Sequence, residues 1–426
     1  MTLDVVVPLA VAAPAVAAFV LGAASALRSR PISERTVVLT AMLGLSFSFA
    51  AVLGAIVSFV AGGLAPLDVR FGTWYRAGDY GFPLAFLFDG TSAAVSAVAA
   101  VLLLATARFS ASYLHREPGF LRFYLLVLVF AAGMQLLLVA GSLDLLFAGW
   151  ELVGIASVLL VAFFHERAGP VRAAIRVLVT YRLCDVGFVL AAVLVHRSVH
   201  NTLFSGIAQV PSTKWIPLCL LVAAMGKSAQ LPVGGWLPRA MEGPTASSAI
   251  FYGGLSVHAG VVLLVRAAPL YAHEPIAAGA IVLVGLATAI VATLSGQVSP
   301  DAKTSLAYAT IAQVGLMFVE CGLGFHRTAI VHLCAHAVLR YFQFLRTPAV
   351  IQRSLERRAA LGNRAAAESV KRWDILGAPV RRFVYRLALE RFEVEQTAER
   401  LVARPILAIS ARLDRIERKL LGAHDD

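Results

Sequence analysis

Long apolar runs separated by short polar segments fill the first 350 residues of the chain. A run of about 20 apolar residues is the length that crosses a bilayer as a helix. This pattern predicts eleven spans, at 4–27, 37–61, 83–106, 122–140, 144–164, 171–195, 215–240, 245–266, 275–296, 304–323 and 326–349. We therefore expect an all-α polytopic membrane protein.

The seventh span differs from the others because charge and helix-breaking residues interrupt it. Lys227 lies inside it, and Pro232, Gly234, Gly235 and Pro238 follow within eleven residues. Proline removes a backbone donor and paired glycines loosen a helix. Broken backbone at membrane depth is tolerated where it is buried in protein or lines a watery cavity. We therefore predict a broken seventh helix beside an ion path.

Composition and loop charge agree with this picture. Apolar residues make up 59% of the chain and charged residues 15%, whereas soluble domains average about 25% charged. The basic residues cluster after odd-numbered spans, and such loops lie on the cytoplasmic side. This predicts an inner-membrane protein with its N-terminus outside and its C-terminus inside. The net charge of +12 is then explained by basic loops facing membrane lipid, and no nucleic-acid partner is expected.

The segment 351–426 forms a second predicted region, a cytoplasmic tail of amphipathic helices that follows the membrane domain 1–350. It has 16 Lys/Arg against 11 Asp/Glu and no run long enough to span. Apolar residues recur there at helical spacing, opposite a basic face; they are Ile406, Ile409, Leu413, Ile416 and Leu420. Such a helix can lie on the inner leaflet, dock on a partner or cover its own domain, and the sequence does not separate these readings.

Charged and imidazole side chains inside the predicted spans are the candidate functional residues, since each costs about 2.5–3.5 kcal/mol at mid-bilayer. Six form a predicted proton path: Glu151, Lys227, His258, His332, His336 and Arg340. Five more are predicted supporting charges: Asp144, Arg176, Arg182, Asp185 and Lys303. Structural ion pairs are the competing explanation. The set as a whole favours a relay, because a buried lysine near a carboxylate changes its affinity for a proton as the carboxylate's partner moves.

Two spacings sharpen this expectation. Asp144 and Glu151 are two helical turns apart and share a face. Arg182 and Asp185 stand at i and i+3, where a local ion pair can form.

The sequence has no motif that indicates nucleotide binding, hydrolysis or metal binding. Nucleotide-binding and common hydrolase motifs do not occur, so we expect no cofactor and no catalytic chemistry of the chain's own. His332 and His336 have zinc-ligand spacing but lack a third ligand, and the four cysteines form no CxxC pair. We expect no metal site.

Several stretches resemble the antiporter-like subunits of respiratory complex I, above all the large distal L or ND-five type, and the related large Mrp subunit. The residues that carry the resemblance, over roughly 80 to 350, are GWELVGIASVLLVAFF (149–164), YRLCDVG (181–187), GKSAQLPVGGWLPRAMEGPTASSA (226–249), DAKTSLAYATIAQVGLMF (301–318) and HLCAHAVLR (332–340). FDG (88–90) and LHREPGFLRFY (114–124) fit as well.

The resemblance implies two inverted five-helix repeats, each with a broken helix that carries a lysine. It implies that Glu151 is the acid paired with Lys227. It also matches Arg182 and Asp185 to a helix-six pair, and His332 and His336 to a central hydrophilic axis.

Three departures qualify what the resemblance implies. Tyr252 stands where the family often has a histidine, and His258 follows six residues later. Arg340 replaces an expected lysine, and arginine does not release its proton. The second repeat is expected to be truncated after its third helix, with the amphipathic tail in place of the rest.

The sequence thus predicts a proton-conducting, antiporter-like subunit that couples proton flux to a partner protein. The chain also resembles the membrane subunit of DAB-type assemblies. In such an assembly, a large soluble zinc protein accompanies the membrane subunit, and together they energise inorganic carbon uptake. Other complex I-like or Mrp subunits are the second candidate partners, and the chain then belongs to a proton-pumping complex. A non-conducting membrane scaffold and an independent sodium/proton exchanger are the remaining alternatives.

Overall fold

The computed structural model describes residues 3–27, 30–299, 301–347, 378–390, 392 and 404–420. Its principal elements, in chain order, are α1 (Leu3–Leu27), α2 (Glu34–Ala61), β1 (Leu67–Ala77), β2 (Tyr80–Phe88), α3 (Gly90–Tyr113), α4 (Phe120–Val139), α5 (Leu143–Val161), α6 (Ala168–Val199), α7 (Trp215–Lys227), α8 (Thr245–Arg266), α9 (Pro275–Gln297), α10 (Ala302–Gly322), α11 (His326–Leu345), α12 (Ala378–Leu389) and α13 (Arg404–Leu420).

Each predicted span overlaps one of the helices α1–α11, so the chain is a multi-pass membrane protein. Within the described residues, nine helices are long and apolar enough to cross a membrane. The other two differ for local reasons. Helix α7 has 13 residues before it is interrupted, and α11 has 20 residues but includes three histidines and two arginines.

A β-hairpin that was not predicted precedes α3. The third span was expected to begin at residue 83, but Tyr80–Phe88 pairs antiparallel with Leu67–Ala77 across a two-residue turn. Gly78 supplies the left-handed conformation (φ 58°) that the turn needs. The Asp89 side chain accepts a hydrogen bond from Ser92 N and so starts α3 at Gly90. We call this side of the bundle the hairpin end.

The helices alternate in direction, so the connection from α10 to α11 lies at the hairpin end and the α9–α10 connection at the opposite end.

Glycines let α9 and α10 pack closely. A Cβ at Gly315 of α10 would lie 3.0 Å from the backbone nitrogen of Ala289 in α9. Small residues at such contacts are typical of membrane helices because they let backbones approach.

The predicted break after α7 is present. Helix α7 ends at Lys227, Ala229 is left-handed (φ 52°), and irregular backbone follows up to Gly235. Pro232, Gly234 and Gly235 lie in this segment as predicted.

Pro238 does not belong to the break. It lies inside the short helix Trp236–Arg239, in the first turn, where a missing N–H leaves no helical bond unmade.

Side chains satisfy the polar backbone freed by the break. Leu231 N donates to Thr288 Oγ1 of α9 at 3.0 Å, and Trp236 Nε1 donates to the Gly226 carbonyl at 3.0 Å. Ser228, Ala229, Gln230 and Gly234 of this segment are buried, whereas Pro232 is exposed, so the broken backbone is enclosed on one side and open at the proline.

Two helices belong to the predicted tail. Helix α13 contains the predicted apolar stripe, and two of its members, Ile409 and Leu413, are about 60% exposed (58% and 61%). Helix α12 contacts α9, and its Ala388 is buried. The predicted domain boundary near residue 350 lies outside the described residues.

Candidate functional site

The Lys227 side chain is buried where α7 ends, with 1% of its surface exposed. Its ammonium donates to the Trp150 carbonyl of α5 at 3.1 Å. The same nitrogen lies 4.2 Å from the ring centre of Tyr181 and 4.9 Å from that of Trp150. One carbonyl and two aromatic faces thus replace water around the charge.

The two carboxylates nearby are held by one guanidinium. Arg182 Nη2 lies 2.5 Å from Glu151 Oε2 and 2.9 Å from Asp185 Oδ2, and Trp150 Nε1 donates to Asp185 Oδ1 at 2.6 Å. The predicted i, i+3 pair of Arg182 with Asp185 is therefore present, and Glu151 joins it from the neighbouring helix.

Lys227 and Glu151 do not form the direct pair that the resemblance implied. No carboxylate oxygen lies within 4 Å of the Lys227 ammonium in the described part of the chain, and Glu151 contacts Arg182 instead. Trp150 joins the lysine to these carboxylates, since its carbonyl accepts from Lys227 and its indole N–H donates to Asp185. The lysine is thus near its carboxylates without being locked to either.

This group of charges runs from the core of the bundle to its surface. Side-chain exposure rises from 6% at Asp185 to 28% at Glu151 and 46% at Arg182. Arg182 is 14 residues into α6, about 21 Å from its start, which places it near mid-bilayer. A half-exposed arginine at that depth requires water or another polar group beside it, because lipid tails do not solvate a guanidinium.

Hydroxyl groups link the residue after Lys227, and helix α5, to α8. Ser228 Oγ donates to the Val257 carbonyl at 2.7 Å, and the hydroxyls of Ser157 and Ser256 lie 3.4 Å apart. Helix α8 includes a π-helical segment, Ser248–Gly254, before a turn that ends at His258. Tyr252, which stands in place of the expected histidine, bonds the Ser157 carbonyl at 3.4 Å. Irregular helix of this kind recurs at functional sites.

His258, His336 and Arg340 form a continuous hydrogen-bonded row. His258 Nε2 is 2.9 Å from His336 Nδ1, and Arg340 Nε donates to His336 Nε2 at 3.2 Å. Because arginine can only donate, His336 Nε2 must accept, and His336 donates from Nδ1 to His258. Both rings are therefore neutral in this arrangement, and Arg340 occupies the position where His336 would take up a second proton.

His332, one turn before His336, has different partners. Its Nδ1 is 2.8 Å from Glu320 Oε1 and its Nε2 is 3.1 Å from Gln313 Oε1, both on α10. Glu320 and Gln313 were not among the residues predicted from the sequence. The signal was present, since Glu320 is a carboxylate within the predicted span 304–323.

The remaining predicted charges lie away from the lysine. Asp144 is at the hairpin end, where the Thr202 hydroxyl donates to it. Arg176 and Lys303 line a cavity of about 560 Å³ at the opposite end, together with Arg172, Arg239, Glu242 and Asp301. Lys303 Nζ reaches the carbonyl of Gly243 at 3.4 Å, just before α8.

A buried ion pair at the hairpin end was also missed. Arg266, the last residue of α8, contacts the Asp89 carboxylate at 2.6 Å and donates to Ser92 Oγ at 2.7 Å. It joins α8 to the first turn of α3 and has a structural role.

Metal binding has no support in the geometry. No group of three or more His, Cys, Asp or Glu side chains within the described residues is arranged to hold an ion. His332 and His336 turn to different partners.

Comparison with known proteins gives one family. A profile described as "NADH:quinone oxidoreductase/Mrp antiporter, TM" matches residues 140–364, more than half of the chain, and one described as "NADH-Ubiquinone oxidoreductase (complex I), chain 5 N-terminus" matches 74–124.

Two curated relatives illustrate the range of the family. NADH-quinone oxidoreductase subunit L of Neisseria meningitidis is 33% identical over 325 residues, 71% of this chain and 48% of its own length. The probable inorganic carbon transporter subunit DabB1 of Halothiobacillus neapolitanus is 37% identical over 275 residues, 62% of this chain and 49% of its own. The chain thus spans about half the length of the curated relatives that it matches.

A solved structure supports the same fold. The Mrp complex from Dietzia sp. superimposes with a TM-score of 0.68 at 24% identity, over 81% of this chain and 37% of that one. The profile match over more than half of the sequence therefore establishes that the chain belongs to the NADH:quinone oxidoreductase/Mrp antiporter membrane family.

Proposed function

We propose that this chain conducts protons as an antiporter-like subunit and couples their movement to a partner protein. The observation that carries the proposal is the Lys227 ammonium, buried at a helix break, without a carboxylate within 4 Å in the described structure. A lysine held by one carbonyl and two rings can give up its proton more easily than one locked in an ion pair.

The proposed route begins at the basic cavity lined by Arg176 and Lys303 and reaches Lys227 through the broken segment. It continues past the hydroxyls of Ser157 and Ser256 to His258 and His336. Two of its steps are direct contacts, 3.4 Å between the serine hydroxyls and 2.9 Å between the imidazoles, and waters are proposed to bridge the others. Arg340 acts as a gate, because His336 cannot take a second proton until the guanidinium leaves Nε2.

The coupling partner is proposed to sit against the exposed side of the Arg182–Glu151 pair. A membrane subunit with a polar group at that depth would complete the pair, as in multi-subunit complexes of the family. The likeness to DabB1 supports a soluble zinc protein as a further partner and inorganic carbon uptake as the work done. The likeness to subunit L supports a respiratory or Mrp-type complex.

The proposed location is the inner membrane of the cell. The basic loops after odd-numbered spans support an N-terminus outside and a cytoplasmic C-terminus. In this orientation the hairpin end faces outward and the basic cavity faces the cytoplasm.

The test replaces Lys227 and measures partner-dependent proton uptake in vesicles that contain the chain with the proteins encoded beside its gene. Lys227→Ala and the longer Lys227→Met are each expected to lower uptake by about 100-fold or more. Lys214→Ala is the matched control, since Lys214 precedes the same helix and stacks on Trp215 at its surface. Control vesicles should transport at the wild-type rate.

A non-conducting scaffold is the second candidate, and the Arg340 contact with His336 favours it. An arginine that permanently caps the histidine row would stop transfer there. The scaffold predicts that Lys227→Met leaves both assembly and transport unchanged, and that result would overturn the proton route.

A further inference from the structure

Helices α10 and α11 carry a carboxylate–imidazole pair close to the hairpin end. Glu320 is two residues before the end of α10, and His332 is six residues into α11. Glu320 Oε1 and His332 Nδ1 are 2.8 Å apart, and both side chains are about one-fifth exposed (22% and 23%). At 1.5 Å per residue, Glu320 lies only about 3 Å below the helix end.

We propose that Glu320 is the residue that releases protons from this chain, taking them from His332 at the hairpin end. The inference rests on the proposed function, since protons must first reach the histidine row. It adds an outlet made of α10 and α11 alone.

His332 is built to hold one proton or two. Its Nδ1–H donates to Glu320, and its Nε2 faces the Gln313 side-chain amide at 3.1 Å. That amide can present its oxygen to an imidazolium or, after a flip, its NH₂ to a neutral ring. The ring is therefore hydrogen-bonded in both protonation states, as a relay requires.

His336 differs from His332 in its partners, and this difference directs the proton from His336 to His332. Its Nε2 already accepts from Arg340, so a second proton is disfavoured there. The ring centres of His332 and His336 are 6.2 Å apart, so transfer between the rings goes through a water that takes the place of Arg340 at His336 and of Gln313 at His332. A proton delivered to this pair of histidines is thus more stable on His332, beside the Glu320 carboxylate.

Glu320 can complete the transfer without further partners. The Nδ1–H bond of the His332 imidazolium breaks as an O–H bond forms on Glu320 Oε1, which leaves a neutral ring and a neutral acid. Glu320 Oε2 is buried without a hydrogen-bond partner, so the acid releases its proton to water when its side chain turns toward the helix end, where Leu323 and Phe325 are more than half exposed (57% and 58%). The carboxylate is regenerated, and no electrons move.

The Glu320–His332 pair would also hold α10 against α11 if its role were only structural. The test must therefore keep the hydrogen bond and remove the ability of residue 320 to bind a proton. Glu320→Gln does this, because the glutamine oxygen still accepts from His332 Nδ1–H but holds no proton at working pH. Glu320→Asp is the complementary variant, which keeps a carboxylate on a shorter side chain. Glu274→Gln is the matched control, a carboxylate at the same end that accepts from Ser212.

Partner-dependent proton uptake is measured in the same vesicles for these variants and for Lys227→Met, with assembly checked by size. We expect Glu320→Gln to lose about tenfold or more, Glu320→Asp to recover part of the rate, and Glu274→Gln to match wild type.

Three results would overturn the inference. Wild-type transport in Glu320→Gln with lost transport in Lys227→Met would reject the outlet but keep the proposed function. Unchanged transport in Lys227→Met would reject both. An equal loss in Glu320→Gln and Glu274→Gln would show that any carboxylate at this end is needed and that Glu320 is not special.

Discussion

Gly154 provides the sharpest probe of the lysine site, because its α-carbon faces the ammonium from α5. A Cβ built at Gly154 would lie 2.7 Å from Lys227 Nζ and 3.6 Å from the Tyr181 ring. Ordinary contacts of this kind are about 3.5–4.0 Å long. Gly154→Ala must therefore push the ammonium away by about 1 Å, and the 3.1 Å bond to the Trp150 carbonyl would be lost or strained.

The size of the effect follows from these contacts. A hydrogen bond to a charged group contributes about 1.5–3 kcal/mol, and overpacking a tight site costs about 1–3 kcal/mol. Replacing a helical glycine by alanine stabilises the helix by up to about 1 kcal/mol. A net loss of about 2 kcal/mol at the ammonium corresponds to a roughly 30-fold lower rate if the bound position of Lys227 is the one used in transport.

Proton uptake in vesicles and thermal unfolding of the purified protein measure the two consequences. We expect uptake to fall about tenfold or more, while unfolding changes by no more than the cost of one overpacked methyl group. Gly279→Ala is the control, since a Cβ there has nothing within 4 Å. Full transport by Gly154→Ala, at normal expression, would refute the idea that Nζ must occupy this position.

Two further changes test the gate and the structural pair. Arg340→Met removes the donor from His336 Nε2, so the ring can take a second proton, and passive proton leak through the chain in liposomes should rise about tenfold; an unchanged leak would exclude Arg340 as the barrier. Asp89→Asn leaves the buried Arg266 without its counter-charge, which should cost about 3–5 kcal/mol and lower the yield of folded protein, while transport per folded molecule stays the same; a normal thermal transition would contradict this.

The sequence was informative wherever a local period decides the structure. Apolar run length located the helices, and the i, i+3 spacing of Arg182 and Asp185 foretold their ion pair. The hairpin was missed because its second strand, YGFPLAFLF, is as apolar as the helix that follows. A short apolar run does not by itself distinguish strand from helix.

The sequence could not predict which side chains contact each other across two neighbouring helices. Glu151 was expected to face Lys227 but contacts Arg182, because the rotation of α5 against α6 and α7 decides which of two cations is nearer. The Glu320–His332 contact depends on the rotation of α10 against α11 in the same way. Periodicity places a residue on a face, and only packing decides what that face meets.

Of the two cations near Glu151 and Asp185, Arg182 contacts both carboxylates and Lys227 contacts neither. This difference makes Lys227 suited to proton exchange. Because the Arg182 guanidinium contacts both carboxylates, neither of them is paired with the lysine. Lys227 is left with a carbonyl and aromatic faces, which stabilise the ammonium less than a direct carboxylate contact would. A movement of Arg182 toward Glu151 alone would free Asp185 to attract the ammonium, and a movement back would weaken that attraction. The half-exposed guanidinium is the member of the group that a neighbouring subunit can reach, so a partner that repositions Arg182 would change the proton affinity of Lys227 without touching it.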